Sequence, residues 1–112
     1  MNEHKLLWQR IQLLEYHQKL LVKLLHNPKQ EFYKLVIENS LTEQETEKFL
    51  ALCDELSMKF EEQKAEGYVY FHPLFERLLA SLPANLKMEE VIKACLLQNL
   101  YEPLFHEFEK YL

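Results

Sequence analysis

The sequence predicts an all-α protein: one multihelical domain of five to six helices spanning residues 1–112 and assembling as an intertwined homo-oligomer. Three observations predict the helices. The 112 residues contain one glycine, Gly67, where an average globular chain has about 7%. Hairpins and phosphate-cradling loops need the positive-φ corners that glycine supplies, so most β-rich and nucleotide-binding architectures are excluded. Apolar residues recur at helical spacing, and the proline positions and a capping sequence fall where helices would start or stop.

The first helix is expected from about Glu3 to Leu25. Leu7, Ile11, Leu14, Leu21 and Leu25 follow the alternating four- and three-residue step of a helical seam, with Gln18 at the missing position. A second ladder of Leu6, Leu13, Leu20 and Leu24 runs beside it. Together they are wider than one neighbouring helix covers, so this helix is expected to have partners on two sides and to cross the whole domain. Around a symmetry axis, Gln18 would form a polar layer that fixes register, with His17 beside it. The expected oligomer interface is therefore Leu7, Ile11, Leu14, Gln18, Leu21 and Leu25.

His26-Asn27-Pro28 ends this helix, because a residue before proline leaves the helical region. Pro28 opens a short second helix to about Ile37, in the first-turn position that proline tolerates. Thr42-Glu43-Gln44-Glu45 is a capping box, and helix three follows to about Glu66 with one narrow stripe of Phe49, Leu52, Cys53, Leu56 and Phe60. Gly67 is its natural stop. Tyr68-Val69-Tyr70-Phe71-His72 has β-like composition but no second strand to pair with, and reads as an aromatic connector. Pro73 opens helix four, burying Leu74, Phe75, Leu78 and Leu82. The turn Leu82-Pro83-Ala84-Asn85 leads into helix five, which runs to about Asn99 with Val91, Ile92, Cys95 and Leu96 inward. Pro103 opens the last helix, packed through Leu104, Phe105, Phe108 and Tyr111.

Charge is unevenly distributed. Up to Asn27, Lys5, Arg10, Lys19 and Lys23 outnumber Glu3 and Glu15, whereas residues 40–66 set eight acids against three lysines. A nucleic-acid binder needs a concentrated basic face, and none is present. A helix-turn-helix drawn over Phe32–Leu56 would offer Glu43, Glu45 and Glu47 to phosphates, so no nucleic-acid partner is expected. No apolar run approaches the ~18 residues of a membrane span, and the first residues lack the pattern of a secretory signal. The expectation is a cytoplasmic protein without a membrane partner, with Cys53 and Cys95 as two small buried hydrophobes.

The five histidines lack helical chelating patterns: there is no His-x-x-x-His and no Glu-x-x-His, so neither a metal site nor a cofactor is expected. Cys53 and Asp54 are neighbours on a helix and diverge by about 100°, too far to act on one atom. Serines are few and none sits in a nucleophile elbow. No catalytic residue is assigned. Two candidate ligand or partner surfaces stand out: His17 beside Gln18 at the polar break of helix one, and the aromatic connector with Tyr68, Tyr70 and His72.

Several segments, Leu14-Glu15-Tyr16, Cys53-Asp54-Glu55-Leu56, Gln63-Lys64-Ala65-Glu66-Gly67 and Gln98-Asn99-Leu100-Tyr101, resemble the YhaI-like family of small Bacillus proteins over nearly the whole chain. That family has no known function and carries no catalytic or binding residue over. What the resemblance implies is a multihelical subunit in an intertwined homo-oligomer, a trimer. The functional expectation is a non-enzymatic interaction or regulatory protein. The alternative is a small-molecule or metal-binding helical module with its site at the subunit junction.

Overall fold

A computed structural model describes residues 2–112, and among these every regular element is helical. Six α-helices follow one another: α1 (Glu3–Lys23), α2 (Glu31–Glu38), α3 (Glu43–Ala65), α4 (His72–Ser81), α5 (Met88–Leu97) and α6 (Glu102–Phe108). Short 3-10 turns cover Pro28–Gln30 and Glu109–Tyr111. The second helix expected from Pro28 is thus split. Proline starts a tight turn capped by Asn27, whose side chain accepts from the Lys29 amide at 3.0 Å, and α2 begins only at Glu31. Helix five likewise starts later than the turn after Leu82 suggests, at Met88.

The ends of α3 are set by local chemistry. Thr42 Oγ1 accepts from the Glu45 amide at 3.1 Å while the Glu45 carboxylate accepts from the Thr42 amide at 3.0 Å, completing the capping box. At the other end Gly67 has φ +93°, and the Gly67 and Tyr68 amides donate to the carbonyls of Lys64 and Gln63. This pair of bonds satisfies the last carbonyls of the helix and needs a left-handed residue at Gly67.

The remaining corners are made without glycine. Ser40, Asn99 and Tyr101 take positive φ instead. Asparagine tolerates that region best; for tyrosine it is strained by about 1–3 kcal/mol. Tyr101 is held there by its hydroxyl, which donates to Asp54 Oδ1 at 2.7 Å and lies 3.2 Å from the Leu50 carbonyl oxygen. The corner before α6 is thereby tied to the middle of α3.

The core lies between α2 and the C-terminal end of α6. Phe49, Cys53, Leu56 and Phe60 of α3 meet Leu74, Phe75 and Leu78 of α4, Val91, Ile92 and Cys95 of α5, and Leu104, Phe105 and Phe108 of α6. Leu52, Leu82, Leu96 and Tyr111, also expected inside, are half-buried at its margin. Phe32 joins α2 to this core by stacking on Phe49 at 5.4 Å, and its amide donates to Gln98 Oε1 at 2.8 Å. That bond satisfies an otherwise orphaned amide in the first turn of α2.

Helix α1 corrects one expectation. It does not cross the body but extends from it: the molecule measures 67 × 27 × 20 Å, and no α1 residue is buried. The radius of gyration is 17.6 Å, against about 13 Å for a compact chain of this length. We expect Leu78→Ala, which empties a fully buried site, to cost about 2–5 kcal/mol in urea unfolding. Val69→Ala, at a position 89% exposed, should change stability by no more than about 0.5 kcal/mol.

Candidate interaction surface

Among the described residues half of the exposed large hydrophobic side chains sit on α1: Leu6, Leu7, Trp8, Ile11, Leu13, Leu14, Tyr16, Leu20 and Leu21. Asn2 starts this helix, its Oδ1 accepting from the His4 amide at 2.8 Å. The second half of α1 rests on α2. There Gln18 Nε2 donates to the Ile37 carbonyl at 3.1 Å, and Val22 and Leu25 are half-buried. A recess of about 660 Å³ between the helices is lined by Glu15, Gln18, Lys19, Val22, Ile37 and Ser40, among others.

This geometry sorts the residues of the expected interface. Gln18 points at α2 and spends its amide within the chain, so the polar break in the leucine seam serves the α1–α2 contact here. Leu7, Ile11, Leu14 and Leu21 are exposed, and Leu25 is half-covered just beyond the helix end. The second ladder is the more revealing one. Leu13 stands nine residues from Val22, two and a half turns, and so faces the opposite way. Leu6, Leu13 and Leu20 therefore line the side of α1 turned away from its only substantial packing partner, α2.

The other candidate residues separate. His17 is on α1, while Tyr68, Tyr70 and His72 follow the far end of α3. The connector is packed at one end only: Phe71 is buried and His72 half-buried, while Tyr68, Val69 and Tyr70 are exposed. Phe71 is buried edge-on to Phe60 at 4.7 Å, and its amide donates to Tyr111 Oη at 2.9 Å. Tyr111 in turn donates to Glu107 Oε2 at 3.0 Å. Tyr70 stacks on His72 and meets the Tyr111 ring edge-on, and His72 Nε2 lies 3.3 Å from Glu76. Tyr68 and Val69 remain exposed beside a recess of about 520 Å³ that also takes in Lys64, His106 and Lys110. The Tyr111 clasp joins residues forty apart and has no signal in local sequence.

Burial shifts the protonation of two thiols and a phenol in and beside the core. Cys53 and Cys95 are fully buried free thiols. Burial pushes Cys95 up to about 12, and burial, the neighbouring Cys95 and Asp54 raise Cys53 as well. A thiol held protonated at neutral pH is no nucleophile. Burial, then the Asp54 hydrogen bond, also raises the Tyr101 phenol. Among the described residues no three His, Cys, Asp or Glu side chains converge on a point where a metal ion could sit, and no helix is long and apolar enough to cross a membrane.

Residues 4–112 match the family described as "Protein of unknown function (DUF1878)", and the chain belongs to that family. Its class is thus a six-helix, all-α domain whose most conspicuous surface is an uncovered apolar helix.

Two outcomes follow from this geometry. Replacing Gln18 with leucine should remove the tie to Ile37 and loosen α1 by about 0.5–1.5 kcal/mol, seen as faster amide exchange in residues 15–23. The raised thiols bind protons in the native state that the unfolded chain releases above its ordinary value of 9.0. Their contribution is intact below pH 9 and is lost as pH rises from 9 towards 12. The urea midpoint should therefore fall between pH 8 and pH 10.5, and less steeply in a Cys53→Ala/Cys95→Ala variant.

Proposed function

We propose that this protein is a non-enzymatic helical interaction or regulatory protein that assembles with copies of itself through α1. One observation carries the reading: a 21-residue helix with a wide apolar surface and no buried residue. The exposed surface of the chain is 8008 Å², whereas a compact monomer of 13.6 kDa exposes about 6,600 Å². The excess, about 1,400 Å², is larger than the ~800 Å² that each partner contributes to a standard protein interface. The excess is total surface, and the exposed apolar side chains of α1 within it are of the kind that marks association surfaces.

The resemblance to the YhaI-like family of Bacillus proteins supports an intertwined trimer as the assembly. The buried free cysteines suit a reducing cytoplasm. The acidic balance of the body favours a protein over a nucleic-acid partner.

The test is sedimentation at micromolar concentration. The wild type should sediment as a homo-oligomer, and Ile11→Lys/Leu14→Lys, which would bury two unpaired charges in the contact, should sediment as a monomer that keeps its helical circular dichroism. A monomeric wild type would sink the proposal.

A further inference from the structure

We propose that the free N-terminal half of α1 docks on a second copy of this chain, in the groove between α5 and the C-terminal turn. This rests on the assembly reading above and adds where the helix lands. The groove has a volume of about 660 Å³. Its floor is apolar: Ile92 and Leu96, with Leu97 and Leu112 still 44% and 57% exposed. Its rim is acidic, with Glu89, Glu90 and Glu109 against Lys93 alone.

The arm is its complement. From Glu3 to Leu14 it runs about 18 Å, close to the ~15 Å length of α5. It presents Leu6 and Leu13 on the side turned away from α2, with Lys5 and Arg10 on the same stretch and Glu3 as its only acid. An apolar ridge flanked by cations fits an apolar groove rimmed by carboxylates. Such a match fixes orientation and discourages the docking of one acidic body on another.

A second chain must supply the arm. Helix α1 is continuous from Glu3 to Lys23, and its later half is held on α2 by Gln18. The free half cannot fold back onto the groove of its own body without breaking the helix. The basic arm and acidic groove therefore meet between copies.

Disulfide trapping locates the contact. Leu6→Cys and Leu13→Cys would each be combined with Leu97→Cys and oxidised with diamide; the native thiols are fully buried and stay out of the reaction. At least one double variant should give a covalent dimer on a non-reducing gel, at five or more times the yield of any of the single variants. A Leu13→Cys chain that cross-links to itself as well would show α1 packing on α1 and overturn the proposal. So would the failure of both double variants in a protein that sediments as an oligomer.

A charge exchange gives a second reading. Glu90→Lys or Arg10→Glu alone should weaken assembly about tenfold or more, and the two together in one chain should restore it. Assembly unmoved by Glu90→Lys but abolished by Ile11→Lys/Leu14→Lys would place the arm elsewhere and leave the assembly reading standing. A monomeric wild type would remove both.

Discussion

The hydrophobic core closes without the first helix. Every buried apolar side chain among the described residues lies between Phe32 and Phe108, and the body they build is complete by the measures that matter locally. Among the described residues no polar side-chain atom is buried without a partner, and the capped ends of α3 are satisfied. Helix α1 is left with one side on α2 and the rest in water. The elongation, the surplus surface and the apolar stripe all follow from this. The stripe is the surface on which the proposed assembly rests.

A chain with one glycine must build corners by other means, and the way it does so organises the second half of the molecule. Asn99 and Tyr101, two residues apart, both adopt left-handed conformations to reverse the chain between α5 and α6. The strain at Tyr101 persists because its hydroxyl is fixed by Asp54 on the exposed flank of α3. That is where Asp54, beside a buried cysteine, finds its use: it anchors a turn. The reversal brings Phe108 edge-on to Phe75 with Phe105 against Phe108, and carries Tyr111 to the connector, where its hydroxyl accepts from the Phe71 amide. Local backbone strain is thus offset by side-chain bonds that reach across the sequence.

Short-range physics was legible and long-range placement was not. The stripe of Phe49, Cys53, Leu56 and Phe60 follows from periodicity, and the Thr42 and Gly67 boundaries follow from capping chemistry, because each depends on residues within two turns. The starts of α2 and α5 were less legible. A proline at Pro28 is compatible with a 3-10 turn as well as an α-helix, and nothing between Asn85 and Met88 marks a cap. The two ladders on α1 announce two-sided contact, yet which side α2 takes is decided by Gln18 meeting a carbonyl nineteen residues away. The groove beside α5 joins Ile92 to Leu112, and no local pattern records that pairing.

An unsupported helical arm has a thermodynamic consequence for the proposed assembly. Isolated helices of this length are marginal in water, and most helix stability in proteins comes from packing an apolar face. The half of α1 beyond Glu15 has α2 beneath it; the half before it has only Asn2 at its cap and its own hydrogen bonds. Ordering the free half and covering it are therefore one event. Each docked arm gains the burial of Leu6 and Leu13 but must first offset the entropy of fixing its backbone. The second half of α1, tethered through Gln18, reduces that cost by presenting the arm already started as a helix. In the proposed assembly stability and association are linked: the arm is held by the neighbour, and the neighbour is held by the arm. A protein built this way grows more stable with concentration. In the proposed assembly the smallest fully folded unit is the oligomer, and the single chain is an incomplete part of it.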